Sequence, residues 1–146
     1  MSTASKVRPA LMILLVYFLS TWAAATPVQA QGAVPDITLT CDQPQPIDVY
    51  PGATRSSIIN CRIENPTVHQ EKVRIQIQAG VLAFSGPATM SIGGGSEVSF
   101  QVLVRAELRA PEGQHQVTVS AEVTMANGVP VTSEPSAANV MAIIRQ

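Results

Sequence analysis

Among the 146 residues, the two cysteines, Cys41 and Cys61, are the side chains best able to form a covalent bond with each other. Two thiols cannot build a four-thiolate zinc site or hold an iron–sulfur cluster. They can pair. Ile37, Leu39 and Cys41 alternate with Thr38, Thr40 and Asp42, while Ile59, Cys61 and Ile63 alternate with Asn60, Arg62 and Glu64. Each cysteine therefore sits on the apolar phase of a strand-like run. On neighbouring strands in an oxidising compartment such a pair is expected to be a disulfide. In a reducing compartment it would be two buried free thiols acting as small apolar residues. The spacing does not match the inter-sheet bridge of antibody domains, and no tryptophan follows Trp22 to pack on it.

The other groups with chemistry are scattered. His69, His115, Met90, Met125 and Met141 are soft ligands of the kind that suit copper outside the cytosol. His69 lies in a turn running from Asn65 to Glu71, and His115 opens the run after Gly113, so both are expected on the solvated surface. Met125 falls on an inward phase and Met141 in an apolar run, which makes them core residues before ligands. Asp36, Asp42 and Asp48 lack the oxygen-rich spacing of a calcium loop. No Gly-x-Ser-x-Gly elbow frames a nucleophile. Gly93-Gly94-Gly95 leads into a strand rather than a helix N-terminus, so it is a turn and not a phosphate cradle. The expectation is no catalytic residue, no metal and no cofactor, with an extracytoplasmic copper-type protein as the alternative.

Composition narrows the class further. With nine Lys and Arg against ten Asp and Glu, the net charge is −1, which gives no footprint for nucleic acid. Lys6 and Arg8 precede an apolar run from Ala10 to Ala25 that ends near Val28-Gln29-Ala30, the order of a secretory signal. Ser20 and Thr21 interrupt this run, which is shorter than a membrane-spanning helix wants. Cleavage after Ala30 is expected; an uncleaved N-terminal anchor would leave the same domain outside the cytosol. Residues 31–146 then carry seven basic and ten acidic side chains, a net −3, and only Tyr50, Phe84 and Phe100 as aromatics. Three aromatics, with Phe100 between Val98 and Val102 in a core position, make no stacking platform for sugars or bases.

The elements that position these residues are strands. Besides the cysteine-bearing runs, Val73–Gln78, Val98–Arg105 and Val117–Met125 alternate apolar with polar residues, while Val81–Phe84, Thr89–Ile92 and Asn139–Ile144 are further candidates. Turn residues separate them, Asn127-Gly128 most sharply, since both tolerate the positive φ of a type I′ hairpin. The prolines of Gln43–Pro51 suit a strand that crosses between sheets. Those at Pro130 and Pro135 confine their segment to an edge. The final run either completes its own domain or is donated to a neighbouring subunit in a strand-exchange assembly. About seven short strands and no helical stripe predict an all-β, immunoglobulin-like antiparallel β-sandwich over residues 31–146.

Val49-Tyr50-Pro51-Gly52, Ile63-Glu64-Asn65-Pro66, the glycine turn and strand from Ile92 to Val104, and Ala110-Pro111-Glu112-Gly113 give the chain a further likeness. Across Asp36 to Met125 it resembles the secreted immunoglobulin-like, fibronectin-like modules of the NEW3/CARDB type. That resemblance implies a structural, adhesive or protein-interaction role at the cell surface, with a protein partner and no shared catalytic residues. Mass spectrometry of exported protein is expected to find Gln31 as its first residue; a chain still carrying Ala10–Ala25 would mean that the anchor is retained.

Overall fold

A chain whose apolar residues recur at every second position can hide them only by forming strands that each turn one face inward. The computed structural model describes residues 34–146, so the signal segment expected over residues 1–30 lies outside the described residues. Within them there are ten strands and no helix. They are β1 (Thr38–Cys41), β2 (Ile47–Asp48), β3 (Ser56–Glu64), β4 (Glu71–Gln78), β5 (Ala83–Ser85), β6 (Thr89–Ile92), β7 (Glu97–Arg105), β8 (Gly113–Ala126), β9 (Val129–Pro130) and β10 (Ser136–Arg145). One sheet runs β1-β3-β7-β5; the other runs β2-β10-β8-β4-β6, with β9 paired to the end of β8. This is an immunoglobulin-like β-sandwich. It exceeds the expected seven strands because β2, β5 and β9 have only two or three residues each.

The core is almost wholly aliphatic. Ile59 and Ile63 of β3, Val102 and Val104 of β7, Val117 and Val119 of β8, and Val73 of β4 are fully buried, and among the described residues Phe100 is the one buried aromatic. Side chains of this size each contribute roughly 1.5–3 kcal/mol when removed from water.

The first strand serves both sheets, as its prolines suggest. β1 pairs antiparallel with β3, whereas β2 pairs parallel with β10. Between them the carboxamide of Gln43 stands in for a missing strand: its Oε1 accepts the Met141 N–H at 3.2 Å, and its Nε2 donates to the Met141 carbonyl. β10 pairs with β8 along nine residues, so the tail completes its own domain. The Asn127-Gly128 turn has both φ values positive, 51° and 77°, and joins β8 to β9 as expected. Residues 131–135 then leave the ladder, and the Ser133 hydroxyl takes over at Val123, accepting from its N–H at 3.0 Å.

Two expected core residues are displaced: Met141 falls on the outward phase of β10, and Met125 is moved by a bulge. Lys72 pairs with Met125 but Val73 pairs with Val123, so Thr124 is an extra residue in β8. This bulge reverses the alternation. Ala126 is buried in place of Met125, which is only half-buried.

Cys41 and Cys61 face each other across β1 and β3 and are joined, with their Cα atoms 4.1 Å apart. The Asp42 N–H donates to the Asn60 carbonyl at 2.8 Å, which makes the cysteines a non-hydrogen-bonded pair, where facing side chains come closest. Cys61 is buried and Cys41 half-buried. Replacing both by alanine is expected to cost ~3 kcal/mol in urea unfolding, from release of the loop they close, with the far-ultraviolet circular dichroism unchanged.

Candidate functional site

The strand register gives the sandwich two ends. At one, here the base, β3 hands over to β4 through residues 65–70, close to the Gly93-Gly94-Gly95 turn, the β8–β9 turn and the leading residues 34–37. At the other, the tip, lie the loops 49–55, 79–82 and 106–112.

The base holds two of the three buried polar residues among the described ones, Asn65 and Glu71, each 1 % exposed. Asn65 splices two loops. Its Oδ1 accepts the Thr67 N–H at 3.0 Å and the Thr67 hydroxyl at 2.7 Å, while its Nδ2 donates to the carbonyls of His69, Ile92 and Gly93 at 2.8, 3.2 and 3.2 Å. The glycine turn packs against this loop, with Gly95 N–H on the Thr67 carbonyl at 2.8 Å. A Cβ at Gly94 would lie 2.4 Å from the Val68 carbonyl oxygen, so close an approach admits only glycine.

Glu71 continues the inward phase of Val73, Ile75 and Ile77. Its Oε1 accepts the Asp36 N–H at 3.2 Å and lies 3.4 Å from the Thr67 hydroxyl, whereas Oε2 is buried without a partner. Burial pushes its carboxyl above the ordinary carboxylate range, only partly opposed by the Asp36 amide and Thr67. The sequence carried this signal in the strand phase, but a charged residue next to a turn reads as solvated.

The soft ligands are kept apart. His69 belongs to the base loop; His115 stands near the opposite end of β8, its Nε2 2.7 Å from the Pro111 carbonyl. Both are half-buried rather than freely solvated. Met90 pairs with Val73 and packs on the core, Met125 lies at the base, and Met141 points outward opposite Gln116. Asp36, Asp42 and Asp48 fall on the leading segment, the end of β1 and β2. Among the described residues, no three His, Cys, Asp or Glu side chains form a metal-holding group.

On the outer face of the four-stranded sheet, a shallow groove of about 490 Å³ is lined by Thr40, Asp42, Asn60, Arg62, Ser99 and Gln101. Gln101 donates to Asn60 at 3.1 Å, and Arg62 sits 3.5 Å from both Glu64 and Glu97. The two carboxylates offset the guanidinium charge, so the groove is polar without being an anion trap.

The tip differs in kind. Ala79, Leu82, Ala106 and Ala110 seal the core there, and the Ala106 N–H donates to the Arg55 carbonyl at 2.8 Å. Outside this seal Tyr50, Val81 and Leu108 are each more than half exposed, one on each of the three loops. Gln146 ties the chain end to this region through the Ala110 carbonyl at 3.1 Å. Sequence reading passed over Leu108 and placed Val81 in a candidate strand over Val81–Phe84, whereas β5 begins only at Ala83 and Val81 lies in the turn before it, where alternation has no phase to offer.

No protein-family model matches this chain, and no curated protein does. Solved structures do. The fold is similar to the cupredoxin domain of amoB from Nitrosocaldus yellowstonii, at 13 % identity and a TM-score of 0.52, over 81 % of this chain and 91 % of that one. It is similar also to native alpha-2-macroglobulin from Escherichia coli, spanning domain MG7 to the C-terminus, at 15 % identity and a TM-score of 0.56. That match covers 77 % of this chain but only 17 % of the macroglobulin chain. Identities this low establish a shared fold.

Glu71 sets a pH dependence. Its folded carboxyl holds its proton more tightly than the unfolded one, so the stability it contributes is complete below the ordinary carboxylate range and declines as pH rises through the raised folded value. In denaturant titrations across that window, the native chain is expected to lose stability relative to Glu71→Gln. Parallel curves for the two proteins would show that Glu71 does not titrate there.

Proposed function

We propose that this chain is an extracytoplasmic, non-catalytic β-sandwich module that works by binding protein, in a structural or adhesive role of the kind that the NEW3/CARDB resemblance implies. Three features support the reading. The apolar run behind Lys6 and Arg8 suits export. The Cys41–Cys61 disulfide suits the oxidising compartment that export leads to. The observation that carries the reading is the tip, where Tyr50, Val81 and Leu108 each stand more than half exposed on loops at one end, outside a sealed core.

Apolar side chains held on short, hydrogen-bonded loops lose little freedom when a partner covers them, which favours an interface over solvent. The outer face of the six-stranded sheet is different. On the six-stranded sheet, Gln76, Gln116, Thr118 and Ser120 face outward, with Thr118 and Gln116 both hydrogen-bonded to Asn139 at 2.7 and 3.0 Å. Groups already satisfied by neighbours have less to gain from a partner.

The test is a photo-reactive amino acid placed in intact cells at Leu108 or, as a control, at Gln76. A discrete cross-linked protein from the tip position and none from the sheet position is expected. Equal labelling from both positions, or none from either, would overturn the assignment of the binding surface to the tip.

A further inference from the structure

We propose that copies of this chain associate head to tail, the tip of one molecule seated on the base of the next. This rests on the interaction reading above and names the partner as a second copy. Three observations lead to it.

The lateral edges are blunted. The outer edge of β10 is taken by β2 near its end, by the Gln43 carboxamide at Met141, and by the Ser136 hydroxyl, which accepts the Leu39 N–H at 3.2 Å. The other edge strands are short: β5 has three residues and stops at Gly86-Pro87, leaving β7 uncovered over residues 97–102, and β6 has four between Pro87 and the glycine turn. Sideways strand addition is thereby confined to short stretches of backbone.

The two ends, by contrast, both carry exposed apolar loop residues. Tyr50, Val81 and Leu108 stand at the tip; Val34, Val68 and Val129 stand at the base, all more than half exposed. The ends also differ in sign. The tip has Arg55, Arg105 and Arg109 against Glu107 and Glu112, a net of +1; the base has Asp36, Glu64, Glu97 and Glu134 against Arg62 and Lys72, a net of −2, the buried Glu71 left aside. Tip against base is attractive, whereas base against base is repulsive. An interface between two different surfaces leaves one free tip and one free base after every addition, so it extends rather than closes.

Sedimentation velocity of the exported protein tests this. The native chain is expected to gain mass with concentration, and less so at high salt. Leu108→Asp should disable the tip and Val68→Asp the base, each weakening self-association by about tenfold or more, with unchanged circular dichroism as the check on folding. Mixed together, the two variants should form a particle of two chains and nothing larger, because one intact tip then meets one intact base. A native chain that stays monomeric at every concentration overturns the proposal, as does a mixture that sediments as monomers or a variant that dimerises alone. A monomer whose tip cross-links to a different protein would sink head-to-tail association while leaving the interaction reading standing.

Discussion

Two sheets of this width can cohere only if the side chains between them fill a layer about 10 Å thick without leaving holes. Here that layer is built from valine, isoleucine and alanine with Phe100 as the one buried aromatic among the described residues. Small branched side chains interdigitate in rows, so each strand must keep its apolar phase facing the other sheet. The remaining features follow from that requirement. The chain crosses from β1 to β2 so that one segment closes both sheets, the bulge at Thr124 re-phases β8, and the Ser133 hydroxyl mends the ladder where residues 131–135 leave it.

Sealing the layer at its ends is a separate problem, because loops carry backbone groups that cannot be buried unpaired. The two ends solve it differently. At the base, Asn65 gathers three carbonyls and the Thr67 amide into one side chain, and the glycine turn presses directly on the loop backbone. At the tip, Ala79, Leu82, Ala106 and Ala110 do the sealing, and Tyr50, Val81 and Leu108 are left outside. Glu71 is the exception to economical burial, a carboxyl with one oxygen lacking any donor, whose burial makes it hold a proton more tightly than a solvated carboxyl does.

This division shapes what the molecule can do. The broad faces are mostly polar apart from the exposed Ile58–Leu103 pair on the four-stranded sheet, the edge strands are short or filled, and the disulfide fastens the outermost strand β1 to β3 where fraying would begin. The exposed apolar loop residues stand at the ends. The histidines stand at opposite ends of the sandwich and share no common centre.

Strand positions, the Asn127-Gly128 hairpin, the place of Phe100 and the pairing of Cys41 with Cys61 were legible in the sequence, since each depends on alternation or on a turn's own φ requirements. So was the sheet-crossing by Gln43–Pro51, because proline withholds the amide a continuous ladder needs. Tertiary structure alone decided the rest. Which strands share a sheet, that a bulge moves Met125 out of the core in favour of Ala126, that Glu71 is buried, and that Tyr50, Val81 and Leu108 stand at one end all depend on contacts between residues far apart in the chain. A period of two is a local property of consecutive residues; pairing partners, bulges and the grouping of loops are settled only when distant segments compete for the same buried layer.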